Sequence, residues 1–185
     1  MEQKYDFVEV TLEPSHYELV KELYRLYKEQ SNRIFDLASG INTNEDILDY
    51  IKFIVEEHIV LIAIDKETQH YAGCIVFDEL KIYNNEIISC GVHIVIGKKY
   101  WGKESRKIIK DCWKYIKENM LPVRRIECKV PSNNFGIIKL LKDVGFKIEG
   151  TLKNRVLRYN KNNIPTLYNE LVYSNINLEE TLNGD

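Results

Sequence analysis

The sequence predicts an α+β domain: a mixed, mostly antiparallel sheet of about seven strands flanked by about four helices. Three observations carry that prediction. Periodicities of two and of 3.6 residues alternate along the chain in the order strand, two helices, three strands, helix, strand, helix, two strands. The three consecutive strands are separated by short turns, which makes an antiparallel meander. Cys90 to Ile116 then passes from a β-branched apolar run into an amphipathic helix through Gly97 and Gly102.

Each element has its own signal. Phe7 to Leu12 alternates apolar with polar and reads as a strand. Pro14 sits where a helix begins, since a first turn loses nothing by its missing N–H. Leu19, Val20, Leu23, Tyr24 and Tyr27 form the inward stripe of that helix, and Ser31 to Asn42 reads as a loop. Thr43 and Asp46 fit a capping box for a second helix with its stripe at Ile47, Ile51, Ile54 and Val55. Ile59 to Ile64 is wholly apolar, as expected where both sheet faces are covered. Tyr71 to Phe77 and Glu86 to Ile96 complete the meander around turns at Asp65 to Gln69 and Asn84-Asn85. Gly91 marks a bulge or a close backbone approach. The helix after Gly102 ends near Asn119. Arg125 to Val130 is a strand, and Ser132 or Asn133 caps a further helix that Gly145 ends. Phe146 to Tyr159 and Ile164 to Tyr173 form a hairpin across Asn160 to Asn163.

A chain of 185 residues suits one domain with a full core, here residues 1–175, followed by a polar tail, 176–185. The net charge of -2 gives no reason to expect nucleic acid as a partner. Cys74, Cys90, Cys112 and Cys128 lie apart within apolar runs, with no CxxC pair, so reduced thiols and no metal are expected. The N-terminus lacks the apolar core of a signal peptide, and no apolar run is long enough to cross a bilayer. A cytoplasmic protein with no membrane partner, monomer or homodimer, is the expectation.

The turn from Gly97 to Ser105 carries the chemistry. A strand that turns through glycine into a helix presents backbone N–H groups without partners, and the helix dipole adds positive potential. Together these suit a phosphate or pyrophosphate. Lys99-Tyr100-Trp101-Gly102-Lys103-Glu104 resembles the pyrophosphate motif, Gln/Arg-x-x-Gly-x-Gly/Ala, of the GNAT superfamily of acetyl-CoA-dependent N-acetyltransferases. Asn134 to Phe146 resembles that family's Asn-helix-Gly-Phe segment, and the likeness extends from about Val8 to Ser174. It is nearest to the branch that holds the ribosomal-protein N-terminal acetyltransferases. Glu104 stands where the motif has Gly or Ala, and its carboxylate would repel a phosphate unless the side chain points away. Leu141 stands where many members carry a tyrosine general acid.

The resemblance implies a GNAT-like domain that uses acetyl-CoA and no metal. It acetylates a primary amine directly, on a peptide N-terminus, a polyamine, an aminoglycoside or a small metabolite. It implies cofactor contacts from Ile94, Val95 and Ile96 through strand-like pairing, from Lys99, Tyr100, Trp101, Gly102, Lys103, Glu104 and Ser105 at the pyrophosphate, and from Asn134 at the pantetheine arm. A strand N–H would polarise the thioester carbonyl. His93 and Glu86 are candidate general bases, with Asp78, Glu79 or a relayed water as alternatives. The Ser31 to Glu45 loop, Arg155, Tyr159 and Tyr168 would border the acceptor. Two other readings stay open. One is an acyl-CoA-binding module that has lost catalysis, suggested by Glu104, Ile137 and Leu141. The other is a nucleotide binder, because GKKYWGKE differs by one residue from a P-loop.

Overall fold

Seven strands form one sheet in the computed structural model, which describes residues 3–120, 122–160 and 162–175. They are β1 (Tyr5–Glu9), β2 (Ile59–Asp65), β3 (Tyr71–Tyr83), β4 (Glu86–Ile96), β5 (Ile126–Pro131), β6 (Lys147–Tyr159) and β7 (Pro165–Asn175). The α-helices among these residues are α1 (Tyr17–Ile34), α2 (Asn44–Glu57), α3 (Lys103–Asn119) and α4 (Phe135–Asp143). The sheet order is β1-β2-β3-β4-β5-β7-β6, antiparallel throughout except where β5 lies parallel to β4. The α+β class and the order of elements are those the sequence predicts. The predicted tail, 176–185, lies outside the described residues. No helix among the described residues is long and apolar enough to cross a membrane.

The sheet separates two apolar clusters, and β2 shows why its sequence carries no polar alternation. Val60 and Ile62 pack into one cluster with Leu23, Tyr27 and Ile51, while Leu61 and Ala63 pack into the other with Phe77 and Trp113. Successive side chains point to opposite faces, so a strand covered on both sides must be apolar at every position.

The boundaries depart from expectation where tertiary contacts decide them. β1 starts at Tyr5 rather than Phe7, because the Asp111 carboxylate of α3 accepts the N–H groups of Lys4 and Tyr5 at 2.9 and 3.1 Å. Pro14 opens a 3-10 turn, Pro14–His16, before α1 begins at Tyr17. α1 continues through Ser31 to Ile34, into the segment read as loop; one anchor there is Gln30, whose amide donates to the Ile96 carbonyl at 3.0 Å. β3 runs past Phe77 to Tyr83, across a register shift after Asp78 where Glu79 adopts φ 47°. α4 is capped by Asn134, not by Ser132 or Asn133.

The capping box of α2 forms as predicted: Thr43 accepts the Asp46 N–H at 3.1 Å, and Asp46 accepts the Thr43 N–H at 2.7 Å. Thr43→Ala is expected to lower stability by about 1 kcal/mol, measured by urea denaturation with an unchanged m-value.

Where β5, β6 and β7 meet, Arg125 and Ser174 donate to the Glu149 carboxylate and hold its pKa down at about 2. A depressed folded-state pKa gives stability that is present above the ordinary carboxylate range and lost as pH falls toward 2. Glu149→Gln is therefore expected to be less stable than the parent at pH 7, with the difference shrinking between pH 4.5 and 2; thermal melts across that window measure it. A deficit that stayed constant with pH would show that the carboxylate's charge is not what matters.

Candidate active site

β4 and β5 begin side by side and then part. Their ladder holds only Cys90 with Ile126 and Gly91 with Glu127. Beyond Gly91 the β5-facing edge of β4, residues 92 to 96, has no strand partner among the described residues, and the gap opens into a cavity of about 230 Å3. β4 lines it with Val92, His93, Ile94, Val95 and Ile96, and β5 with Cys128, Lys129, Val130 and Pro131. Trp101, Gly102 and Ser105 line it where α3 starts, and Asn134, Gly136, Ile137 and Leu140 where α4 starts. Tyr27, Gln30 and Ile34 of α1, Tyr50 of α2 and Arg158 of β6 complete the wall.

The turn into α3 is built around Gly102, whose φ of 87° and ψ of -122° lie in a region that side chains disfavour. Ser105 donates its hydroxyl to the Gly102 carbonyl at 2.8 Å, closing the first turn. The first N–H groups of a helix have no partner within it, so this helix start offers donors and positive potential to an anion. Lys98–Tyr100 forms a 3-10 turn, and Trp101 donates from its indole to the Ile96 carbonyl at 2.9 Å, which fixes the end of β4.

Glu104 turns away from the cavity. Its carboxylate accepts from Lys4 at 2.9 Å and from the Tyr5 hydroxyl at 2.5 Å. Tyr5 and Lys4 hold its pKa below the usual range. The carboxylate is thus held by Lys4 and Tyr5 at the start of β1. Lys99, Tyr100 and Lys103, also predicted cofactor contacts, do not line the cavity. Lys99 reaches His70 at 3.4 Å, the Tyr100 ring is buried, and Lys103 is exposed. The remaining predicted contacts, Ile94, Val95, Ile96, Trp101, Gly102, Ser105 and Asn134, do line it.

The two base candidates separate. His93 Nε2 lies 2.8 Å from Asp78 Oδ2, across the β3–β4 ladder. Burial pushes the Asp78 carboxyl up, but the hydrogen bond and charge of His93 outweigh it and the net shift is downward. Gly91 makes the pair possible. A Cβ there would sit 2.0 Å from Asp78 Oδ1, so the glycine is the close approach that the sequence offers as one alternative, and the register shift falls opposite, on β3. Glu86 begins β4, seven residues from His93, outside the cavity and ion-paired with Arg124. At roughly 3.3 Å per residue that is more than 20 Å away.

Other groups are limited in what they can do. Burial raises the thiol pKa of Cys74, Cys90 and Cys128 to about 12 and that of Cys112 well above its usual value. A thiolate nucleophile is therefore not available at neutral pH. Burial also raises Tyr50 to about 12 and Tyr27 well above the ordinary phenol, so both stay protonated and can donate. Leu141 is fully buried and supplies no acid.

Arg158 was not among the sequence candidates; Arg155, inside the break in the β6–β7 register between Leu152 and Val156, was, and it is exposed. The signal was present in the parity of β6: Val156 is apolar and faces inward, and Arg158, two residues on, shares its face. Tyr159 and Tyr168 do not line the cavity either.

No family model and no curated protein matches the sequence. Solved structures do resemble the fold. A spermidine N-acetyltransferase from Vibrio cholerae, in complex with CoA and spermine, matches with a TM-score of 0.67 and 16% identity over 98% of this chain and 100% of that one. A ribosomal-protein-S5-alanine acetyltransferase from Vibrio fischeri matches with a TM-score of 0.66 and 16% identity over 96% and 95%. A GNAT-family acetyltransferase from Bacillus anthracis matches with a TM-score of 0.66 and 17% identity over 96% and 97%. With the diverging β4 and β5 and the glycine turn into α3 already in view, the chain has the fold of the GNAT acetyltransferases.

Proposed function

We propose that this protein is an acetyl-CoA-dependent N-acetyltransferase that modifies a primary amine by direct attack. The observation that carries this reading is the unpaired edge of β4 opening onto a cavity that ends at the start of α3. An extended pantetheine arm can add to that edge as a strand would, along Ile94 and Val95, and the diphosphate can meet the N–H groups that follow Gly102. The Asn134 side-chain oxygen accepts from the Ile137 N–H at 3.5 Å, which leaves the side-chain N–H2 to donate to the arm. Bound there, acetyl-CoA supplies an electrophilic acyl carbon and a thiol leaving group.

His93 takes the proton that the acceptor ammonium must lose before its nitrogen can attack. Asp78 holds the ring and offsets the charge it gains, the role of an orienting carboxylate. A free N–H on the open edge of β4 can meet negative charge that develops on the carbonyl oxygen. The buried thiols leave no covalent route through cysteine, in keeping with direct transfer.

Calorimetry with acetyl-CoA, followed by a thiol-release assay over an amine panel, tests the reading. Binding and turnover are expected. No heat of association would overturn it. Binding without turnover of any amine would favour the second reading, a binding module without catalysis, for which buried Leu141 is the supporting observation.

A further inference from the structure

We infer that the acceptor is a small amine carrying a carboxylate, which Arg158 binds while His93 receives the amine end; this rests on the acetyltransferase reading. Arg158 lines the cavity and is 8% exposed. Its guanidinium donates from Nη2 to the Ile34 carbonyl at 3.0 Å, while its Nε has no partner among the described residues. The Nε is sealed from solvent, so what the cavity meets is the rest of the guanidinium; a buried charge without an ionic partner is costly, and a cation in a cavity wall favours a ligand of opposite charge.

The nearest acidic groups do not do so. Asp36 and Glu170 favour the charged form from a distance, but neither forms an ion pair with Arg158 among the described residues. Asp36 is already occupied: its two oxygens accept the N–H groups of Ala38 at 2.8 Å and Leu157 at 3.0 Å. Arg158 therefore sits in the wall as a cation held by a helix-end carbonyl, with no carboxylate paired to it among the described residues. A guanidinium fork matches a carboxylate in shape as well as charge.

The rest of the wall agrees. Among its described residues it carries two cations, Arg158 and Lys129, and no carboxylate. A polyamine would find no acidic partner there. Among the described residues, the adjoining cavity of about 120 Å3 carries the acidic residues Asp78, Glu79 and Glu127. Each of these is already paired, with His93 at 2.8 Å, Lys129 at 3.5 Å and Arg125 at 2.8 Å respectively.

The test compares amino acids with their decarboxylated amines, with spermidine as the polycation, in the thiol-release assay on the full chain. The carboxylate-bearing amines are expected to react with the higher kcat/KM. Arg158→Gln should raise KM for them by roughly a hundredfold while leaving the affinity for acetyl-CoA unchanged, and Arg158→Lys should restore part of the loss. Equal or better turnover of spermidine and the decarboxylated amines overturns the inference while leaving the acetyltransferase reading intact. So does an Arg158→Gln protein with unchanged KM. If Arg158→Gln does not fold, the parent protein's preference across the paired amines decides alone. Failure of the underlying reading looks different: no heat with acetyl-CoA and no thiol release from any amine, which would overturn both.

Discussion

His93→Ala is expected to lower kcat by about 10^2- to 10^4-fold with little change in acetyl-CoA affinity. The ring lies on β4 at the cavity wall, its side chain is 52% exposed, and its one hydrogen-bond partner among the described residues is Asp78. Removing it leaves no core void and no unpaired buried group other than Asp78. The loss should thus fall on proton transfer rather than on folding. Gly91→Ala gives an independent check, because the added methyl collides with Asp78 Oδ1 at 2.0 Å and must push the carboxylate off the imidazole. It should lower kcat in the same direction while His93 itself stays in place. Single-turnover acetylation, read beside calorimetry with CoA, separates chemistry from binding. If the His93→Ala protein turns over within a few-fold of the parent, the base lies elsewhere.

Gly102→Ala is expected to weaken CoA binding by roughly 10- to 100-fold, from backbone strain of about 1–3 kcal/mol. Space is not the obstacle, since a Cβ at Gly102 would meet nothing within 4 Å. The obstacle is the backbone, with φ at 87°. A side chain there must either carry the strain or let the turn relax, and relaxation re-aims the first N–H groups of α3. Gly150→Ala is the control, because that glycine also has open space and its φ is not positive. Calorimetry with CoA on both variants measures the difference. Equal affinities would show that the diphosphate does not rest on this turn.

Much of the fold was legible because local patterns and tertiary demands agreed. The Thr43–Asp46 box, the stripe on α2 and the apolar run of β2 each specify their element without help from elsewhere. The site was legible in part. The motif around Gly102 marked the glycine turn into α3, which lines the cavity together with Asn134 and the end of β4. The fate of Glu104 was not legible: whether it faces a phosphate depends on Lys4 and Tyr5, about a hundred residues away in sequence. The ends of α1 and β3 were misjudged for the same reason, since Gln30 meets β4 and Asp78 meets His93 only after the sheet has assembled.

The sequence by itself determined the element order, the glycine turn and the pool of candidate side chains, because those follow from periodicity and backbone preference within a few residues. Only the tertiary structure chose among the candidates. It paired His93 with Asp78, sent Glu86 to the far end of its strand, and brought Arg158 rather than Arg155 into the wall. Strand register and sheet divergence are set by packing between distant segments, and a change of one residue in register exchanges which side chain faces the cavity.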